Sequence, residues 1–396
     1  MTGAARLRRR VDRRVYRLLY ALERLAFPTD VGPGRLDAGA LRRVLVLPNY
    51  KVGDLVVATP ALAFLRAAAP HARLDVLVSP RNASLLEGDP RVDRVLVHEP
   101  LREPWLPVVR RLRRERYDLV VDFVLPHHAR EGLISALVAG RRGARVTPFR
   151  PTRYWGFFTH RARVPGLERR YMAERLLYAV QAPFGRALPG GPDAAPYPMR
   201  LAVAPDAAAR AAAFLREAVG GRAFVALNAW ASDPVRTLAV AQAAELAAEI
   251  ARRHPDLAVV FTPPPAAADD ARAMADAARL TDGGARVAVL PPSPRLADLV
   301  ALLARARAVV TPDTANIHLA AAVGRPVVAL YTLVATEKIA HWIPSGTPFR
   351  AVVVDGPHPL AALDPRRAAD ALDELLGDAA REAGADRPAP LAAAGA

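Results

Sequence analysis

The stretch TPDTANIHLAAAVGRPVVAL, Thr311 to Leu330, decides the fold. Ahead of it, Ala308, Val309 and Val310 read as the end of a buried strand. Thr311-Pro312-Asp313 is turn chemistry, and Asp313 or Thr314 stands where a helix N-cap belongs, with an apolar run behind it. Gly324 occupies the place of a helix-terminating glycine, and Arg325-Pro326 forbids continuation. Val327 to Tyr331 is a second strand. This strand–turn–helix–strand unit belongs to a parallel α/β sheet, and its helix begins at the carboxyl end of a strand, where such sheets bind ligands. Free amides and the helix dipole there suit a phosphate. An ordinary capped helix is the competing reading. His318 weighs against it, because a histidine in a small, Ala-rich helix adds nothing to packing that leucine would not.

Working outward, the chain of 396 residues is long enough for two domains, and 52% hydrophobic residues can fill two cores. There is no cysteine, which excludes disulfides, thiol catalysis and Cys-based metal sites. No apolar run reaches bilayer length, and the basic N-terminus lacks a secretory apolar segment, so a cytoplasmic protein is expected. The formal charge of +16, from 55 basic and 39 acidic residues, favours anionic partners. Lysine occurs only at Lys51 and Lys338, so the arginine excess partly reflects composition. No nucleic-acid reader motif is present, and the basic residues are spread over both halves, so a nucleic-acid partner is not expected.

In chain order, residues 4 to 27 read as a basic amphipathic helix: Leu7, Val11, Val15, Leu18, Leu22 and Leu25 form a stripe, and Arg6, Arg8, Arg9, Arg10, Arg13, Arg14 and Arg17 fill the other faces. Such a helix can lie on an anionic membrane or pack its stripe on the protein body; both readings stay open. With its loop it forms a segment over 1–34. Strands are predicted over 42–48, 74–79, 94–97, 118–125 and near Val146, with helices over 55–69, 101–117, up to Ala139 and 171–181. Pro148 to Arg170 is irregular and aromatic. The run APFGRALPGGPDAAPYP, 182–198, is the strongest linker signal and separates a first domain, 35–185, from a second, 186–376. The second repeats the alternation, with helices over 206–219, 238–254, 266–279, 296–304 and 365–376, and a frayed tail over 377–396. The derived architecture is two doubly wound parallel α/β domains with a cleft between them.

A second constellation is Lys51-Val52-Gly53-Asp54, with Thr59-Pro60 behind it. The loop leaves the first strand and opens the first helix, so it faces the expected cleft. Asp54 can simply cap that helix, or act as a general base if a substrate hydroxyl reaches it. Gly53 permits close backbone approach. His127, His128 and Arg130 follow a strand's carboxyl end and can contact an anionic acceptor or line a solvated loop. Two adjacent histidines without partners are poor metal geometry, and no metal site is expected.

The segment VLVLPNYKVGDLVVATPALAFLRAAAP resembles the opening of glycosyltransferase family 9, the heptosyltransferase family, which carries Arg-x-Gly-Asp and Thr-x-Pro-Ala-Leu. Asp313 to Ala322, with Gly324, Pro326 and Val327 to Leu330, resembles its second signature, Asp-Ser/Thr-Gly-x-x-His before Leu-Ala-Ala-Ala. Asn228 to Leu238 weakly resembles the donor loop, with Arg236 on its basic position; Tyr117 to Asp122 and Arg142-Gly143 also fit. The resemblance runs from about residue 43 to 376. It implies the GT-B fold, two Rossmann-like domains facing a cleft. It also implies transfer of a sugar from a nucleotide-diphosphate donor such as ADP-heptose, with inversion and without an essential metal or other cofactor. The implied acceptor is lipopolysaccharide or another anionic, lipid-linked glycan at the inner face of the cytoplasmic membrane.

Carried over by residue, Asp54 is the implied base and Lys51 replaces the motif arginine in the cleft. Thr314, Ala315 and Asn316 would present amides to the diphosphate, Asp313 and His318 would orient the turn or touch the sugar, and Arg236 would hold the leaving diphosphate. Several positions depart from the pattern. Ala315 replaces the signature glycine and makes a positive φ harder to adopt; Ala229-Trp230 replaces Pro-Gly; Thr332 to Thr336 replaces Gly-Pro-Thr-Asp-Pro. His341-Trp342-Ile343-Pro344 suits some members, and Asp269 or Asp270 can meet the ribose. These departures motivate an alternative, a non-catalytic GT-B scaffold for surface-polysaccharide assembly.

Overall fold

The computed structural model describes residues 36–48, 50–99, 102–123, 129–140, 143–147, 158–161, 170–185, 197–281, 286–332, 341–354 and 359–385. The N-terminal basic helix, most of the aromatic 148–170 segment and the middle of the Pro/Gly linker lie outside these residues. The chain divides into two compact units, Met1–Ala202 and Val203–Ala396.

The first unit carries strands β1 (Arg43–Leu47), β2 (Arg73–Val78), β3 (Arg94–Val97), β4 (Leu119–Asp122), β5 (Ala144–Thr147) and β6 (His160–Arg161). Every pairing is parallel, in the order β3-β2-β1-β4-β5-β6. Its helices are α1 (Val52–Val57), α2 (Thr59–Ala68), α3 (Trp105–Arg114), α4 (Ala129–Ala139) and α5 (Met172–Gln181). The second unit repeats the plan with β7 (Phe224–Leu227), β8 (Ala258–Phe261), β9 (Val287–Val289), β10 (Ala308–Pro312), β11 (Val327–Thr332) and β12 (Phe349–Val354), ordered β12-β11-β10-β7-β8-β9 and again wholly parallel. Helices α6 (Pro205–Val219), α7 (Val240–Arg253), α8 (Ala268–Thr281), α9 (Leu296–Leu303), α10 (Ala315–Ala322) and α11 (Pro365–Ala385) complete it. Within each unit the first and fourth strands are neighbours. The chain therefore winds outward in both directions from that pair and leaves a crevice at its carboxyl end. These are the two parallel-sheet domains of the GT-B class.

Where the elements differ from expectation, local chemistry explains it. The helix predicted over 55–69 starts earlier and breaks at Ala58 into α1 and α2. Pro60 has no amide to give the Val56 carbonyl, and the Thr59 hydroxyl donates to that carbonyl instead, at 2.7 Å. The helix predicted over 101–117 is confined between Pro104, its N-cap, and Arg116, which adopts φ 54°. The last helix does not stop at Leu376. It continues through Gly377 to Ala385, in an Ala-rich segment where Arg350 and Arg381 both pair with Asp378. The units divide later than residue 185 because the chain beyond the Pro/Gly stretch stays fastened to the first one. The Arg200 amide donates to Thr59 Oγ1 at 3.2 Å, Arg91 donates to the Arg200 carbonyl at 2.7 Å, and Tyr197 packs edge-on against Phe64.

Two features at the amino ends of the first unit's strands are structural. The Asp118 carboxylate accepts from the Arg42 and Arg43 amides at 2.8 and 2.9 Å, setting β4 beside β1. Fully buried Asp75 accepts from the Tyr117 hydroxyl at 2.6 Å and pairs with Arg73 and Arg94, which also hold Glu115. Burial and the Asp75 carboxylate together push the Tyr117 hydroxyl pKa well up, so it remains a donor.

Gly143 shows how tightly this layer is closed. A Cβ there would lie 2.6 Å from both the Ala139 and Tyr117 carbonyl oxygens. Gly143→Ala should therefore cost about 1–3 kcal/mol of stability. Urea unfolding checks this, and an unchanged midpoint would contradict the close approach.

Candidate functional site

The predicted second-unit residues converge at the crevice between β7 and β10. Buried Asn228, immediately after β7, donates through its side-chain amide to the Trp230 carbonyl (2.9 Å), Thr311 Oγ1 (3.0 Å) and Thr314 Oγ1 (3.4 Å). Thr311 and Thr314 share a further hydroxyl contact at 3.1 Å. Thr314 is the N-cap of α10, in extended backbone, and its hydroxyl accepts from the Asn316 amide at 3.3 Å. Among the described residues, nothing accepts from the Thr314 or Ala315 amides, and both residues are half-exposed. An anion placed there meets two free donors and the positive end of a helix.

The helix behind this turn is fixed at both ends. Gly324 lies at φ 69°, its amide donates to the Ala321 carbonyl at 3.0 Å, and the Arg325 amide donates to the Ala320 carbonyl at 2.9 Å. That pair of bonds closes the helix as the sequence predicts and requires a residue tolerant of positive φ. Asn316 through Ala322 are all buried, so α10 is a core helix with only its first turn open. Ala315 lies inside the helix, in right-handed conformation. The expectation that alanine here strains the turn is corrected: no positive φ is required, and alanine suits a helix better than glycine.

Arg236 reaches the same turn. It ends a one-turn 3-10 helix, Pro234–Arg236, capped by the Asp233 carboxylate on the Val235 amide. The Ala231 amide bonds to Thr237 Oγ1 at 3.1 Å, and the Leu238 amide to the Ala229 carbonyl at 2.9 Å, which pins the loop. One guanidinium nitrogen, Nη1, donates to both the Asp313 carbonyl (2.9 Å) and the Asp313 carboxylate (3.0 Å). So Asp313 holds Arg236 at the lip of the anion turn.

His318 lies one turn into α10, 4% exposed, with Nδ1 unpartnered and its ring 5.8 Å from that of Trp342. Burial alone lowers its pKa to about 4, so it is neutral at ordinary pH. Tyr331, fully buried on β11, also has a hydroxyl without a partner; burial and then the Asp313 charge raise its pKa. Thr311, Asn228, Tyr331 and Trp342 were not assigned to the site from sequence, although all four lie in or beside motifs read there.

In the first unit, Lys51 is the exposed N-cap of α1, with no capping side-chain bond, and Gly53 and Asp54 occupy its first turn, half-buried. They follow β1 at the β1/β4 crevice. There, buried Asp122 accepts from the Ser135 hydroxyl at 2.6 Å. A small recess of about 10 Å3 between Leu47, Tyr50, Leu77, Trp105, Asp122 and Ile134 opens beside it. His127 and His128 lie outside the described residues; Arg130 begins α4, its side chain likewise outside them. Asp269 and Asp270 are exposed on the first turn of α8, at the carboxyl end of β8, and Asp269 pairs with Arg272. Among the described residues no three His, Asp or Glu side chains gather as metal ligands.

Residues 105–354 match the family model for glycosyltransferase family 9 (heptosyltransferase). The matched span contains the whole β7/β10 site and begins after the Lys51–Asp54 loop. Among solved structures, the chain is similar to the family 9 glycosyl transferase of Veillonella parvula, at 16% identity over 87% of this chain and 99% of that one, with a TM-score of 0.71. It is also similar to Escherichia coli ADP-heptose lipopolysaccharide heptosyltransferase II, at 23% identity over 85% and 99% of the two chains, TM-score 0.68. A third likeness is to E. coli heptosyltransferase WaaC with ADP, at 20% identity over 87% and 99%, TM-score 0.62.

The buried histidine gives a pH prediction. Its folded pKa of about 4 lies below the unfolded value near 6.5, so the unfolded chain binds the extra proton first. The stability that neutral His318 contributes is complete above about pH 6.5 and is lost as pH falls toward 4, by about 3 kcal/mol in all. Toward acid the wild type should lose that much stability relative to His318→Leu, read from the unfolding midpoints of the two proteins across the range. Parallel curves would show that His318 does not titrate this way.

Proposed function

The chain belongs to glycosyltransferase family 9, and from that premise we propose that it moves a heptose-like sugar from a nucleotide-diphosphate donor resembling ADP-heptose to an anionic, lipid-linked glycan such as lipopolysaccharide, at the inner face of the cytoplasmic membrane. The observation that carries this reading is the turn at Thr314. Two open amides, a helix N-terminus and a guanidinium anchored on Asp313 face one place, and a diphosphate is the ligand those groups fit.

In the proposed reaction, the Asp54 carboxylate takes the proton of the acceptor hydroxyl. The acceptor oxygen bonds to the anomeric carbon from the side opposite the donor phosphate. The bond from that carbon to the phosphate oxygen breaks, and the nucleoside diphosphate departs with the electron pair, so the configuration inverts. Charge grows on the departing oxygen, where Arg236 and the α10 amides are already oriented and need no rearrangement. Neutral His318 can donate or accept a hydrogen bond with the sugar through Nδ1 without adding charge. Lys51 adds positive charge at the first unit's loop. With the positive charge supplied by side chains and amides, the reaction as proposed uses no metal.

The scaffold alternative rested on Ala315 together with the other donor-half departures, and the helical backbone at Ala315 removes the first of those grounds.

The test is nucleotide release from a panel of nucleotide sugars with a lipid-linked glycan acceptor. Asp54→Asn should reduce transfer at least about a hundredfold with donor affinity unchanged. Arg236→Ala should weaken donor binding by about ten- to a hundredfold, the range for a lost charge-assisted bond to an anion. Loss of donor binding in Asp54→Asn would refute the base assignment. Failure of every nucleotide diphosphate to bind the wild type would refute the reading as a whole.

A further inference from the structure

We propose that the exposed face of α3 is a docking surface for an anionic lipid bilayer. The helix buries Val108, Val109 and Leu112 against the sheet. On the opposite side Leu106, Arg110 and Arg114 follow one another at four-residue steps, with Arg113 beside them, all exposed. Leu106 is 58% exposed, one of few large apolar side chains so open among the described residues. The rings of His98 and Trp105 lie 4.1 Å apart, tilted by 60°, which brings the end of β3, with Val97 42% exposed, next to the start of α3.

Many arginines of this chain are paired with carboxylates, whereas those of α3 lie together on one exposed face. Elsewhere Arg66, Arg73, Arg94, Arg210, Arg253 and Arg350 are each tied to carboxylates. Among the described residues, Arg110, Arg113 and Arg114 form no ion pair or side-chain hydrogen bond. The negative end of the helix dipole accounts for positive charge in its last turn. It does not account for Arg110, or for the open leucine at the other end.

A row of exposed guanidinium groups beside an exposed aliphatic side chain fits lipid headgroups. Arginine binds phosphate through a planar fork, and the leucine enters the headgroup–acyl boundary. A nucleic acid or an acidic protein would use the charge and leave Leu106 without a role. The helix runs antiparallel to the strands, so Leu106 lies at the carboxyl end of the sheet, where its neighbour Trp105 lines the recess with Tyr50 and Asp122. Docked this way, the recess opens at the lipid surface. That last consequence rests on the proposed transfer to a lipid-linked acceptor; the docking itself does not. No helix among the described residues is long and apolar enough to cross a membrane, so contact through α3 is peripheral.

The experiment is co-sedimentation of the full chain with phosphatidylcholine vesicles and with vesicles also containing phosphatidylglycerol, at about 0.1 M salt. The wild type should bind the anionic vesicles and release at high salt. At about fivefold per arginine, Arg110→Gln, Arg113→Gln and Arg114→Gln together should weaken binding about a hundredfold with an unchanged melting temperature. Leu106→Ser should weaken it severalfold with all charges in place. The triple substitution Arg8→Gln, Arg9→Gln and Arg10→Gln separates the N-terminal segment: that variant should retain α3-dependent binding. Wild-type binding to anionic vesicles that survives the α3 triple substitution, or no such binding at all, overturns the proposal. Asp54→Asn should bind vesicles like wild type, so loss of transfer and loss of docking are read apart.

Discussion

The second unit depends on one side chain that ties two strands together where they must part. At the β7/β10 crevice, adjacent parallel strands send their loops in opposite directions, and the last backbone bond between them runs from the Asn228 amide to the Val310 carbonyl at 2.9 Å. The Asn228 side-chain amide crosses that gap. It closes its own loop on the Trp230 carbonyl and reaches the hydroxyls of Thr311 and Thr314. Buried polar groups in low dielectric are strong when fully paired and costly when they are not. Each member of this cluster is paired, so the Thr314 cap sits in one place and the first turn of α10 with it. The anion turn is therefore set by the fold before any ligand arrives, the condition under which amide donors stabilise charge most effectively.

The first unit has the same strand order and a comparable crevice, but its loop is held differently. Lys51 caps α1 without a side-chain bond. Ahead of it, buried Asn82 donates its side-chain amide to the Tyr50 carbonyl at 3.0 Å; behind it lie the Thr59 hydroxyl on Val56 and the strap from Arg91 and Thr59 to Arg200. The helix that carries Asp54 is thus held at both ends, and the chain leaving for the second unit is braced by the residues at its rear.

The alternation of strands and helices was legible in the sequence because parallel strands are short apolar runs and the helices are bounded by proline, glycine and capping residues. Gly324 was placed correctly on those grounds alone, and the N-cap was narrowed to Asp313 or Thr314, of which Thr314 takes the place. The division of roles inside the site was not. Asn228 and Thr311 are separated by 83 positions, and no local pattern announces that their side chains meet. Ala315 was misjudged for the opposite reason: a glycine in a motif suggested a positive φ, whereas the backbone there is plain helix. Thr59-Pro60 was visible as a motif but not as a helix break, because the break depends on a hydroxyl standing in for a missing amide. Gly143 is conspicuous only once two carbonyl oxygens are seen against its α-carbon.

Arg236 brings the electrostatic argument to its last step. Without a ligand, a guanidinium aimed at an empty anion turn would repel the positive end of α10. The Asp313 carboxylate lies between them and takes up that charge. It does so through one nitrogen only, Nη1, which also holds the Asp313 carbonyl; no partner is found for Nη2 or Nε among the described residues. The arginine is thereby oriented by half of its fork and presents the other half. A dianionic phosphate arriving at the turn need not displace Asp313; it can bond to the nitrogens that remain. Its own charge then competes with a carboxylate a few ångströms away, which tempers ground-state affinity. In the proposed transfer, negative charge accumulating on the departing diphosphate would be drawn more strongly to the guanidinium nitrogens bonded to it and repelled more strongly by the carboxylate behind them. The nearer charge dominates, so Arg236 would bind the later state better than the earlier one, which is what acceleration requires.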